Sequence, residues 1–218
     1  MTKIVWDEVG SRLFETGVKN GVLYVQNDEG GYDAGVPWNG LTAITESPSG
    51  AEETPLYADD IKYVVFYSAE EFGATIEAYT YPEEFEQCDG SASLADGVIV
   101  GQQARKSFGL VYKTSVGNDI QGQDFGYKLH IIYGAKAAPS EKAYATVNDS
   151  PEAITFSWEV STVQVNVEGF KPTSTVTIDS TRCDAGKLAQ LEDRLFGTED
   201  AEPTLLLPDE IKAIFDAQ

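Results

Sequence analysis

The sequence predicts a mainly β protein: an antiparallel sandwich or barrel with a short flanking helix and a helical C-terminal extension. Three observations carry this. Apolar and polar residues alternate at period two in stretches rich in Val, Ile, Thr and aromatics. About ten such stretches follow one another, joined mostly by short polar turns. Helical periodicity is confined to one short segment and to the chain beyond Cys183.

The elements follow in order. A strand over residues 22–25 follows Asn20-Gly21, a pair suited to a hairpin turn. Another, over 41–45, follows the turn Pro37-Trp38-Asn39-Gly40. Residues 46–60 hold two prolines, five acids and no base, and show no periodicity, which predicts an irregular or mobile loop. Residues 61–67 are apolar apart from Lys62, the pattern of a strand buried on both faces. A strand over 75–81 stops at Pro82, and Pro82-Glu83-Glu84-Phe85-Glu86 opens a short helix with acids in its first turn. A strand over 108–116 ends at Gly117-Asn118.

The clearest alternation lies in 125–133. Phe125, Tyr127, Leu129, Ile131 and Tyr133 fall on one face, and Gly126, Lys128, His130 and Ile132 on the other. Phe156, Trp158 and Val160 alternate next, then Val163, Val165 and Val167 after a slip at Ser161-Thr162 that reads as a bend or bulge. Val176 and Ile178 mark a short strand. Asp184 caps a helix with Leu188, Leu191 and Leu195 on one face and Gly197 at its end. After a flexible link at 198–203, Pro208 opens a last helix with Ile211, Ile214 and Phe215 on one side. The chain thus divides into a β domain, 1–182, and a helical extension, 183–218.

Composition narrows the function. At 42% hydrophobic and 11% aromatic residues, the 218-residue chain can bury a core and is not a disordered tail. No apolar run is long enough for a membrane helix, and the start shows no signal-peptide core, so expression in the cytoplasm is expected. Cys88 and Cys183 are expected to be reduced thiols there. The net charge of -21 excludes a protein that grips nucleic acid. It allows one that lets nucleic acid pass, and it also fits plain solubility.

The search for chemistry assigns no catalytic residue, metal or cofactor. His130 is the single histidine, reads as a surface residue on a polar strand face, and lacks a partner for a metal pair. Cys88 sits beside acids, which raise a thiol pKa. No phosphate loop or calcium-loop spacing occurs, and the acidic turns at 27–33 and 118–124 lack the ligand pattern. Among 36 acids, any one carboxylate pair carries no information. A non-enzymatic role is expected.

Three stretches resemble the major tail tube proteins of long-tailed siphophages of Gram-positive bacteria. The first is Gly21-Val22-Leu23-Tyr24-Val25 with Gly35-Val36-Pro37-Trp38-Asn39-Gly40-Leu41-Thr42. The second is Tyr57-Ala58-Asp59-Asp60-Ile61-Lys62-Tyr63, followed by the run from Thr75 to Phe85. The third runs from Pro203 to Phe215 and includes Leu207-Pro208-Asp209-Glu210-Ile211. The resemblance implies hexameric rings whose sheets join into a continuous inner barrel. It implies rings stacked along a tape measure protein, with distal tail and tail terminator proteins at the ends. Double-stranded DNA would pass through the lumen without specific binding. The location implied is the virion tail, assembled in the host cytoplasm, with a long loop and the termini bridging subunits.

On that reading, Leu56 and Tyr57, with Asp59 and Asp60, are candidate inter-subunit contacts; the other reading has Leu56 and Tyr57 fold back on their own domain. Glu77, Asp119 and Asp124 are candidate lumen acids, and Lys62, Lys113 and Lys128 are the strand-borne bases able to contradict a negative lumen. An immunoglobulin-like or adhesin-like binding module is the alternative, and a carbohydrate-active enzyme a third reading.

Overall fold

The computed structural model describes residues 3–147, 149 and 152–217. Its strands begin with β1 (Leu13–Val25), β2 (Val36–Trp38), β3 (Leu41–Glu46), β4 (Ser49–Gly50), β5 (Glu53–Ala58), β6 (Ile61–Tyr67) and β7 (Glu70–Glu71). They continue with β8 (Gly73–Ala78), β9 (Ala92–Ala95), β10 (Val98–Val100), β11 (Phe108–Asn118), β12 (Gly122–Ala137), β13 (Phe156–Thr162) and β14 (Thr175–Asp179). A short 3-10 helix spans Glu83–Gln87, and α1 (Ala185–Phe196) and α2 (Pro208–Asp216) close the chain. The fold is mainly β and antiparallel, as the alternation predicts.

Eight strands form one sheet in the order β2-β1-β11-β12-β13-β8-β3, with β14 also on β12. β12 is the pivot. Its residues 128–132 pair with β14, and its residues 135–137 pair with β13. A one-residue bulge separates the two, because Leu110 faces Ile132 while Phe108 faces Ala135. Gly134 sits in that bulge at φ 58°, and a side chain there would meet the backbone of Val163. The sheet then curls until β3 returns beside β1. Leu41 occupies the space a Cβ on Gly21 would take, so a larger residue there would have to displace the Leu41 side chain.

Alternation divides the apolar residues between the two faces. Leu23, Val25, Phe108, Leu110, Tyr112, Ile132, Ile76 and Trp158 enclose the inner core, with Trp38 and Phe85 packed among them. Both indoles keep a hydrogen bond on burial: Trp38 donates to Thr80 O at 2.9 Å and Trp158 to Asp89 Oδ1 at 3.1 Å. The outer face carries Val22, Tyr24, Val111, Leu129, Ile131 and Tyr133, covered by Leu188, Leu191, Leu195, Leu205, Leu206 and Ile211. The helical segment therefore shares a core with the strands. Asp184 caps α1 by accepting the Lys187 backbone N–H at 2.9 Å. Leu191 is fully buried at the centre of that layer. Leu191→Ala is expected to cost about 2–5 kcal/mol, read as a lower urea midpoint at unchanged slope.

Three expectations are corrected. Asn20-Gly21 makes no hairpin turn; it lies inside β1, where Asn20 takes φ 55° and the pairing with β11 slips between Thr16 and Val22. A bulge and a turn need the same backbone conformation there, and pairing along the whole of β11 selects the bulge. Residues 46–60 are not an irregular loop, because β4 and β5 lie within them. Residues 61–67 are not buried on both faces, because β6 is largely exposed. The hairpin β9–β10 was not expected, although its turn holds Asp96-Gly97, a hairpin pair.

Candidate functional site

Residues 46–73 build a ribbon that leaves the sheet edge. β3 and β8 end at Glu46↔Ala74, then β4 pairs with β7, then β5 with β6. Backbone bonds from Ser47 to Gly73 O and from Ser68 to Glu52 O bridge the gaps at 2.8 and 3.1 Å. The tip is a two-residue turn in which Asp59 and Asp60 both take positive φ, 53° and 63°. That geometry suits the twist of a tight hairpin, and aspartate tolerates it. At about 3.3 Å per residue, the strand from Ser47 to Ala58 reaches up to about 40 Å.

The arm is apolar on both faces and covered on neither. Ile61, Tyr63, Val65 and Tyr67 lie on one side of β6, and Val64 and Phe66 on the other. Tyr57 and Tyr63 are each 70% exposed, Tyr67 69%, Phe66 58% and Leu56 47%. An aromatic side chain buries about 150–250 Å² when covered, so four of them, with Leu56 and Ile61, offer on the order of 700 Å². Summed over the two faces of the ribbon, that approaches one partner's share of a stable interface, about 800 Å². Leu56 and Tyr57 thus project from the arm rather than folding back on the domain, beside Asp59 and Asp60 at its tip.

Free strand edges accompany the arm. Among the described residues, β14 pairs only with β12, β3 only with β8, and residues 13–19 of β1 only with β11. β1, β11, β12 and β14 therefore form a sheet with an open edge on each side. Unpaired backbone N–H and C=O groups on such edges are templates for another strand. Ile4, Val5, Trp6 and Val9, which precede β1 in the chain, are exposed apolar residues.

One face of that sheet is polar and carries Thr114, Lys128, His130 and Thr177. His130 is not a plain surface residue. Its side chain is 14% exposed and stacks on the Tyr112 ring at 4.7 Å and 6°. Nε2 lies 3.0 Å from Thr114 Oγ1 and 3.6 Å from Glu15, and Nδ1 lies 3.5 Å from Thr177 Oγ1 and 3.8 Å from Glu46. Burial holds the imidazole below its ordinary pKa, against the pull of Glu46 and Glu15. The Glu15 carboxyl is held below its ordinary value despite its partial burial, because Lys128 and Thr114 donate to it, each at 2.6 Å. Sequence reading placed His130 on a polar face but missed the cluster, since Glu15 and Glu46 come from distant strands.

The proposed lumen acids are not brought together. Asp124 is exposed and, by alternation, on the face of Lys128 and His130. Asp119 lies in the β11–β12 turn and accepts the Gly10 N–H at 3.0 Å. Glu77 lies apart on β8, on the side opposite Ala74, Ile76 and Ala78. Lys62, Lys113 and Lys128 are each matched by a glutamate: Lys62 with Glu53, Lys113 with Glu192 at 2.7 Å, and Lys128 with Glu15 at 2.6 Å. Cys88 and Cys183 are free thiols, and burial pushes the Cys88 pKa up to about 12, far from a nucleophile's range. No helix among the described residues is long and apolar enough to cross a membrane, and none of their acidic, histidine and cysteine side chains group to hold a metal ion.

No family model matches this chain, and no curated protein matches it. Among solved structures, a chain of the six-fold symmetrised baseplate of the anti-feeding prophage, determined by cryo-EM, is similar over 80% of this chain and 97% of its own. The identity is 7% and the TM-score 0.36, a likeness too distant to carry a functional conclusion.

Proposed function

We propose that this chain is a self-assembling structural subunit of a virion, with the tail tube of a long-tailed bacteriophage as the specific role. The observation that carries the reading is the β5–β6 arm, a ribbon whose two apolar faces are left exposed by the described residues. A two-stranded hairpin is marginal alone in water, so a surface of this kind calls for burial against another molecule. The open edges of β1 and β14 support the same reading. Pairing β14 of one copy with β1 of the next is a head-to-tail contact, which closes into rings or continues as a filament. The net charge of -21, with Lys113 and Lys128 each held by a glutamate, supports a surface that does not grip phosphate, so DNA passing through a tube would slide rather than bind. Ring size, tape measure partnership and a role without catalysis belong to this proposal and follow the resemblance given above.

The test is negative-stain electron microscopy and sedimentation at rising protein concentration, alone and with co-expressed tail partners. Rings or tubes with a central channel are expected. A monomer under every condition would sink the reading and favour the binding-module alternative.

A further inference from the structure

We propose that His130 is a proton-sensitive pin that holds the root of the arm on the sheet and releases it on acidification. The inference adds regulation to the arm, and it rests on the assembly reading only for its biological consequence. The chain has a single histidine. Aspartates and glutamates ordinarily titrate near pH 4, so between about pH 7.5 and 5.5 His130 is the one side chain whose ordinary pKa lies in range. The chain's amino terminus is the other ordinary titrating group there. A protonation-linked change at the arm root in that window that His130→Gln abolishes traces to this ring.

The geometry joins the ring to the arm through Glu46. Glu46 is the last residue of β3, and the ribbon begins at the next residue. Its carboxylate accepts the Tyr112 hydroxyl at 2.9 Å, and Tyr112 is the ring on which His130 stacks. The groups facing the imidazole are Glu15 from β1, Glu46 from β3, Tyr112 and Thr114 from β11, Lys128 from its own β12 and Thr177 from β14. The neutral ring fits its neighbours. The Thr114 hydroxyl spends its one proton on Glu15, so it accepts from Nε2–H, which leaves Nδ1 to accept from Thr177.

A protonated ring fits less well. Glu15 favours an imidazolium but already shares its charge with Lys128 and accepts from Thr114, each at 2.6 Å. Lys128 adds a like charge nearby. Glu46 remains, but at 3.8 Å and partly in water. Burial outweighs both carboxylates, and the pKa lies below the ordinary value. The sign follows. The stabilisation is fully present above about pH 6.5, the ordinary histidine value, and is lost as pH falls toward the lowered one. The charged ring regains hydration by leaving the Tyr112 stack, which frees the Tyr112–Glu46 contact at the ribbon's root.

Hydrogen exchange read by mass spectrometry tests this on the full chain at pH 7.5 and 5.5, with times scaled for intrinsic exchange. Peptides covering residues 46–73 should open several-fold more at pH 5.5 in the wild type, up to about tenfold per unit of lowered pKa. His130→Gln should remove that difference. The same pH response in both proteins, or none in the wild type, overturns the proposal. The ring's own NMR titration needs no variant, and a midpoint at or above about 6.5 also overturns it. A pH-indifferent arm in a chain that still forms tubes sinks the pin alone; a responsive arm in a chain that never assembles sinks the tube alone.

Discussion

Asp89→Ala is expected to lower folding stability by about 3–5 kcal/mol, as is usual when one partner of a buried charge cluster is removed. The Asp89 side chain is only 6% exposed and anchors three donors. Trp158 Nε1 donates to it at 3.1 Å, Lys142 at 2.5 Å, and Arg105 reaches it at 3.5 Å while also spanning Ala137 O and Ala138 O. Alanine would leave a buried indole N–H without an acceptor and remove the carboxylate that pairs with two partly buried cations, Arg105 keeping only its backbone carbonyls. Lys142, beyond the end of β12, is tied to the body by this bond, and its ammonium also lies over the Tyr81 and Phe156 rings at 5.4 and 5.9 Å. Asp89→Asn should fall between wild type and alanine, because one carbonyl can still accept from Trp158. Urea denaturation followed by Trp fluorescence reads the midpoint. A loss under about 1 kcal/mol for alanine would mean that water already screens the cluster, as at a surface pair.

Much of the fold was legible because its signals are local. The alternation of Tyr127, Leu129, Ile131 and Tyr133 places four side chains against the helices without knowledge of any partner strand. Leu188, Leu191 and Leu195 mark the helical face in the same way. What was not legible depends on residues far apart in sequence. Asn20-Gly21 has the chemistry of a turn, and only continued pairing of β1 with β11 makes it a bulge. His130 was visible as a polar-face residue, but its stack on Tyr112 needs the β11–β12 register, and its carboxylates arrive from β1 and β3.

The arm shows a different limit. The apolar run in residues 61–67 predicts burial on both faces, and the protomer leaves both faces open. The pattern answers to the environment in which a segment works, and a strand buried between subunits carries the same residues as one buried in a core. The acids of residues 46–60 read as loop because they are spread from the root at Glu46 to the tip, where Asp59 and Asp60 supply the turn.

That conflict between pattern and exposure gives the second large effect. Replacing Tyr57, Tyr63 and Phe66 together by serine is expected to abolish assembly while leaving the protomer folded. The three side chains touch no part of either core, so the urea midpoint should move by no more than about 0.5 kcal/mol, the ordinary range for surface changes. Interface aromatics that fill a partner's surface each contribute about 2 kcal/mol or more, which is roughly 30-fold in affinity per residue and is repeated at every subunit contact. Tyr57→Ser alone should raise the concentration needed for assembly by about that single factor. Salt separates an apolar contact between like-charged copies from an electrostatic one. Two chains of charge -21 repel, and the repulsion is screened beyond about 10 Å at 0.1 M salt, so assembly should strengthen as salt rises. Sedimentation velocity across a concentration and salt series reads both effects. A triple variant that assembles like wild type, or assembly that weakens with salt, would show that the arm is not the contact that joins the subunits.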